Sequence, residues 1–144
     1  MVSKINMKII ICGSLSASKE IINTKKILEQ AGHVVEIPEG VKRENLRPTN
    51  TTTSSEKADT KIQHDLLRGY FKKIKNHDIV LVVNPEKKGV KGYVGGNTLI
   101  EMAFAHVLNK KLYCLYHLPE LSYTTEIMAT QPIILYGKLE IFTK

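Results

Sequence analysis

One carboxylate in this chain is set apart by its surroundings. Glu101 lies in the stretch GGNTLIEMAFAHVLN (residues 95–109) and is the only formally charged side chain between Lys91 and Lys110. In one interpretation TLIE (98–101) is a capping box, with Thr98 as the helix cap and Glu101 bonded back to the backbone. In the other, the helix dipole favours the ionised carboxylate, which then serves as a nucleophile or base. The two uses are compatible, because chemistry can reuse a cap.

A second candidate segment, GSLSAS (13–18), follows the first predicted strand. Serine hydroxyls together with the backbone N–H groups of a helix start favour an anion-binding site. The alternative is that Ser16 or Ser18 only caps the helix. The candidate substrate-binding residues of this segment are Gly13, Ser14, Ser16 and Ser18.

Two further places carry small polar or flexible residues. Asn84 ends the most clearly predicted strand, where its amide could hold a sugar hydroxyl or a base; a turn before Pro85 is the competing explanation. Gly95 and Gly96 allow a ligand to approach the backbone closely beside Glu101. Asn97 follows them and completes this group of candidate binding residues.

Hydrophobic patterning predicts the elements that position these residues. The predicted strands are residues 7–12, 33–37, 78–84, 111–116 and 132–135, with helices at 19–31, after residue 61 and within 95–109. Alternating strands and helices predict an α/β fold of three layers, α/β/α, with about five parallel strands, of the flavodoxin-like or Rossmann-like type. In such folds ligands bind outside the carboxyl ends of the strands, which selects the loops 13–18, 38–60 and 84–97.

The chain of 144 residues is predicted to form a single domain over residues 1–144. Its one irregular region is about 40–60, which is rich in Thr, Ser and Asn and has no periodicity. A loop this long in a compact domain is predicted to be mobile, either disordered or folded over a site.

Composition limits the classes of partner. Cys12 and Cys114 lie in apolar runs without metal-ligand spacing, which predicts buried thiols and no metal or cofactor site. No apolar run reaches membrane-spanning length and no secretory signal pattern is present, so a cytoplasmic protein without membrane contact is expected. The net charge of +7 suits anionic partners, but no nucleic-acid-binding motif occurs, so nucleic acid is the weaker expectation.

Three segments, in order, resemble the nucleoside 2-deoxyribosyltransferase family, which includes the 2′-deoxynucleoside 5′-monophosphate N-glycosidases. They are KIIICGS (8–14), HDIVLVVN (77–84) and GGNTLIEMAFAHVLNKKLYCLY (95–116). The resemblance implies that Glu101 attacks the anomeric carbon of a deoxyribose, and that a base or water then takes the sugar. It also implies that the GSLSAS loop lies beside the 5′ end of a nucleoside or nucleotide, with Gly13 and Ser14 the closest matches.

Family members are commonly homo-oligomers, so the resemblance implies a homodimer or larger assembly in which Ser122 of the segment ELSYTTE (120–126) reaches a neighbour's site. The family usually places an acid on the helix before the third strand. Here that place falls at or near Tyr70, and the nearest upstream acid is Asp65. This departure favours the alternative function, a non-catalytic nucleotide-binding sensor module.

Overall fold

A computed structural model describes residues 6–46 and 65–144 of the chain. Within them one sheet of five parallel strands is covered by helices, which confirms the predicted α/β fold. The strands are β1 (Lys8–Cys12), β2 (Val34–Glu36), β3 (Ile79–Val82), β4 (Lys111–Cys114) and β5 (Ile133–Ile134). The helices are α1 (Ser18–Gln30), α2 (Glu39–Leu46), α3 (Leu66–Lys75), α4 (Gly96–Val107), α5 (Thr124–Ala129) and α6 (Glu140–Thr143), with a 3₁₀ turn at Leu15–Ala17.

The strand order β2-β1-β3-β4-β5 puts a topological switch point between β1 and β3. From β1 the chain crosses to β2 on one side, whereas from β3 it crosses to β4 on the other. Cys12 is in register with Val82, and Val82 with Cys114, so the carboxyl ends of the three central strands are level. The loops after β1 and β3 leave this edge toward opposite faces, which opens a crevice between them.

Alternate residues of the strands pack into two separate cores, one on each face, as expected of a sheet buried on both faces. On the first face Ile9, Ile11 and Leu81 pack with Ile21 and Leu28 of α1. On the second face the strand residues pack against α3, α4 and α5, with Ile10, Cys12, Val80, Val82, Ile74, Met102, Ala105 and Ile127 at the centre. The described residues contain no helix that is long and apolar enough to span a membrane.

The prediction of a loop over residues 40–60 is wrong at its start, because α2 occupies Glu39–Leu46. Val41 is fully buried in the first core, and Lys42 bonds to Glu36 and Glu39. Within the part of α2 whose side chains the structure describes (39–42), the burial of Val41 and the ion pairs of Lys42 stabilise a helix that has no apolar stripe in its sequence. Residues 47–60 of the predicted mobile loop lie outside the described part of the chain.

Candidate functional site

Glu101 lies on the inner face of α4, which is also its buried side. Thr98, Glu101 and Ala105 lie three and four residues apart, Met102 is adjacent to Glu101, and all four are buried. Glu101 is only 7% exposed. The capping-box prediction is wrong, because the helix begins at Gly96 with Gly95 as its cap. The amide of Leu99 already donates to the Gly95 carbonyl oxygen (3.0 Å), so Thr98 lies within the first turn. Glu101 is the sixth residue of α4, in its second turn rather than at its start.

The carboxylate of Glu101 contacts the last residue of β1. The Cys12 thiol donates a hydrogen bond to it, and both side chains are buried. Burial is the largest cause that raises the pKa of Cys12 well above its usual value, and the nearby charge of Glu101 adds to it. Because Cys12 ends β1, this contact places Glu101 at the carboxyl edge of the sheet, beside the switch point.

The GSLSAS segment turns directly from β1 into the 3₁₀ turn and α1. The Ser14 and Ser16 hydroxyls lie 2.7 Å apart, and the Ser18 hydroxyl donates to the Leu15 carbonyl oxygen. Neither Ser16 nor Ser18 caps α1, whose cap position is Ala17 without a side-chain bond. The alternative prediction, that Ser16 or Ser18 only caps the helix, is therefore wrong. Gly13 has a packing role, since an added Cβ would lie 2.8 Å from the Val83 carbonyl oxygen.

Asn84 is fully buried and joins the loops that follow β3 and β4. Its amide nitrogen lies 3.3, 3.1 and 3.2 Å from the carbonyl oxygens of Gly92, Tyr116 and His117, and its amide oxygen accepts from the Tyr116 backbone at 2.9 Å. The role that these bonds establish for Asn84 is structural. The residue also lines a depression of about 320 Å³, together with Pro85, Glu86, Lys91, Gly92, Tyr116 and His117.

The remaining predicted residues are more exposed. Gly95 and Gly96 precede and begin α4, and an added Cβ at Gly96 would meet no atom within 4 Å. Asn97 is exposed in the first turn of α4. Ser122 is exposed in the turn before α5. The structure thus brings Glu101, the serine loop and the glycine pair to one edge of the sheet, with Asn84 beside them in a structural role.

A phenol–carboxylate pair at the same edge was not predicted from the sequence. The Tyr116 hydroxyl, beyond the end of β4, donates to the carboxylate of Glu20 on α1. Burial first, and then Glu20, raise the pKa of Tyr116 to about 12. Applying the carboxyl-end rule to the loop after β4, as well as to the loops after β1, β2 and β3, would have drawn attention to Tyr116.

Two more tyrosines lie near this edge, Tyr93 in the loop before α4 and Tyr123 directly before α5. The Tyr123 hydroxyl donates to the Val94 carbonyl oxygen at 2.6 Å, and burial followed by the neighbouring Tyr93 raises the pKa of Tyr123. The ammonium group of Lys87 lies 5.0 Å from the centre of the Tyr93 ring. The loop before α4 is therefore anchored to the turn that contains Ser122.

The described residues contain no group of three or more His, Cys, Asp and Glu side chains that could hold a metal ion. The acid nearest in sequence to the expected leaving-group position, Asp65, is exposed and ion-paired with Arg68 at 2.7 Å. No protein-family model matches the chain, and no curated protein matches it significantly.

Proposed function

We propose that this chain is a 2-deoxyribosyl-transferring enzyme that cleaves the N-glycosidic bond of a deoxynucleoside or its 5′-monophosphate through Glu101. The observation that carries the proposal is the position of that carboxylate. It is buried at the carboxyl end of β1, beside the switch point where parallel α/β sheets bind their ligands.

The small residues at the start of α4 support the same proposal. Gly96 begins the helix with open space where a side chain would stand, and Gly95 precedes it. Neither glycine has a positive φ that would require its type. The open space at Gly96 therefore leaves room for a ligand at the start of α4, one and a half turns before Glu101. The Ser14 and Ser16 hydroxyls follow the carboxyl end of β1.

The proposed reaction has two displacements. A carboxylate oxygen of Glu101 forms a bond to the anomeric carbon of the deoxyribose, and the bond from that carbon to the base nitrogen breaks. The electron pair leaves with the base, which takes up a proton from water or from an acid. In the second step the oxygen of water or a nitrogen of another base bonds to the same carbon and loses a proton to the solvent, while the bond from that carbon to the Glu101 oxygen breaks and its electron pair regenerates the carboxylate.

Base release by the purified protein tests the proposal. A panel of deoxynucleosides and their 5′-monophosphates is incubated with the wild type and with Glu101→Gln, and the free base is followed by chromatography. We expect wild-type turnover on at least one member of the panel and a loss of at least about a thousandfold in Glu101→Gln. Glu29→Gln, which changes an exposed acid of α1 in the same way, is the matched control and should keep full activity.

The second candidate, a non-catalytic nucleotide-binding module, is favoured by one observation. Asp65 is exposed and paired with Arg68, so the described residues around the helix before β3 supply no acid aimed at a departing base. Calorimetry separates the two candidates. If the wild type and Glu101→Gln both bind nucleotide and neither releases base, the function is that of the sensor module and not that of the enzyme.

A further inference from the structure

The edge of the sheet opposite the candidate active site carries a second depression, of about 260 Å³. It lies at the amino ends of β4 and β5, where the turns that follow α4 and α5 enter these strands. Its polar lining residues are His106, Asn109, Lys110, Lys111, Thr130 and Gln131. Each of these side chains can donate a hydrogen bond, and none of the described residues that line the depression has a carboxylate. We call it the amino-edge depression.

Two adjacent ammonium groups set the charge of the amino-edge depression. Neither Lys110 nor Lys111 forms an ion pair with another described residue. The acids of the two helices lie toward the opposite edge, Glu101 in the second turn of α4 and Glu126 in the first turn of α5. The carboxylate of Asp78, which precedes β3, accepts a hydrogen bond from the first backbone N–H of β1. The depression therefore has a positive charge that no neighbouring acid on these elements offsets.

Lysines that follow a helix can also serve only to complement its carbonyl end. At α4 the backbone N–H groups of Asn109 and Lys110 already donate to carbonyl oxygens of the last turn, at 3.1 and 2.9 Å. At α5 the N–H of Gln131 does the same at 2.9 Å. These bonds use the backbone, so the side chains take no part in closing the helix ends.

Two side-chain amides border the depression at left-handed backbone positions. Asn109 and Gln131 have φ values of +56° and +54°, each at the position after a helix end that glycine most often occupies. Asparagine tolerates this conformation, whereas glutamine is strained in it. Glutamine at position 131 therefore lowers stability relative to glycine, which favours a use for its amide group.

We propose that the amino-edge depression binds a compact, multiply charged oxyanion of the phosphate type, such as inorganic pyrophosphate. A ligand that meets two ammonium groups among hydrogen-bond donors has to supply negative charge and several acceptor oxygens. The volume of about 260 Å³ is below the roughly 300–1,000 Å³ of pockets that enclose drug-sized ligands. It therefore suits a phosphate or a short polyphosphate better than a whole nucleotide. Because the depression lies at the edge opposite Glu101, the inference does not depend on the proposed reaction.

An amide NMR titration with sodium pyrophosphate at constant ionic strength tests the inference, because it resolves which residues respond. We expect saturable shifts at residues 109–112 and 130–133, with a dissociation constant on the order of millimolar or below. Shifts at residues 13–18 would report binding to the serine loop separately. The spectrum of each variant also shows whether it is folded.

Two double variants with the same net charge separate a site from general attraction. Lys110→Gln/Lys111→Gln should weaken binding at residues 109–112 by at least about tenfold, because it removes both charged donors. Lys87→Gln/Lys88→Gln is the matched control: it changes another adjacent lysine pair, in the loop after β3 at the opposite edge, and should bind like the wild type. If the first double variant does not fold, Lys111→Gln alone tests the exposed member of the pair.

Shifts that do not saturate up to about 10 mM pyrophosphate would overturn the inference. Equal weakening by the two double variants would also overturn it, since general attraction of anions to a chain of net charge +7 would then explain the shifts. Tighter binding of a deoxynucleoside 5′-diphosphate than of pyrophosphate at the same amides would contradict the assignment to a compact ligand.

Gln131→Gly tests the part played by the strained amide. Glycine should raise the midpoint of thermal unfolding, because it relieves the left-handed backbone. It should also weaken pyrophosphate binding by at least about twofold, because a donor is lost. Higher stability with unchanged binding would contradict the role proposed for this amide.

Discussion

Gly92 is the glycine at the carboxyl edge at which an added side chain would collide most severely. Its φ is +71°, and an added Cβ would come within 2.0 Å of the His117 carbonyl oxygen. That oxygen also lies 3.2 Å from the Asn84 amide nitrogen, so the contact belongs to the junction of the loops after β3 and β4. No local pattern in the sequence marks Gly92 for this role, because a close approach between distant loops leaves none.

We expect Gly92→Ala to lower the free energy of unfolding by about 2 kcal/mol or more, from the left-handed backbone and the collision with the carbonyl group. Gly69→Ala is the control. Gly69 lies within α3 with no atom within 4 Å of an added Cβ, so alanine should raise stability by about 0.5–1 kcal/mol. Urea unfolding measures both. Equal effects of the two substitutions would show that the loop junction is not as tight as described.

The two cysteines give a residue-scale test of the surroundings of Glu101. Burial, and then the Glu101 carboxylate, raise the pKa of Cys12, while burial raises that of Cys114 to about 12. Because the thiolate is the reactive form, neither thiol of the native protein should react with a disulfide reagent near pH 8, and both should react after unfolding. Glu101→Gln should leave Cys12 unreactive, since burial is the larger cause. Rapid modification of native Cys12 would contradict the described burial of this thiol against Glu101.

At the scale of elements, α2 and α3 are joined by four charged side chains. Lys73 of α3 lies 2.9 Å from a carboxylate oxygen of Glu39 and 3.5 Å from one of Glu36, and Lys42 of α2 binds the same two acids. The hydrogen bond from Lys73 is the main cause that lowers the pKa of Glu39. For Glu36, burial opposes ionisation, but Lys42 and Lys73 outweigh it and lower the pKa.

We expect Lys73→Gln to lower stability by about 0.5–1 kcal/mol at pH 7, a small effect because solvent screens these half-exposed groups. Both carboxyl pKa values are depressed below the usual 4.5 in the folded state. Their contribution is therefore present above about pH 4.5 and lost as the pH falls through the folded values. Unfolding curves of the variant and the wild type should converge once the pH has fallen below the folded pKa values of both carboxyl groups. Lys72→Gln, at the neighbouring exposed lysine, is the control and should change stability less.

Most elements could be predicted because their sequence signals are local. The strand at 78–84 and the helices at 19–31 and 95–109 correspond to β3, α1 and α4, although the observed strands are shorter. The helix α2 could not be predicted, because its stability depends on Val41 filling the first core and on ion pairs to β2 and α3. The capping-box prediction was also wrong, because Gly95 is the cap and α4 begins at Gly96, before Thr98 is reached.

At the scale of the whole molecule, the alternation of strands and helices predicted the parallel sheet, and the carboxyl-end rule then brought Glu101 and the serine loop to one edge. The strand order itself was not predicted, since it depends on long-range pairing of β1 with both β2 and β3. The pair of Tyr116 and Glu20 was missed for the same reason. Its members are 96 positions apart and meet only in the folded chain.

The most direct test of the proposed chemistry is to look for the covalent intermediate on Glu101. The protein is incubated with a deoxynucleoside or its 5′-monophosphate, quenched in acid and analysed by peptide mass spectrometry. We predict a deoxyribosyl ester on the peptide that contains Glu101, together with release of at least one base per ester found, and neither product in Glu101→Gln. Base release with an unmodified Glu101 peptide, or release that persists in Glu101→Gln, would contradict the assignment of this carboxylate as the nucleophile.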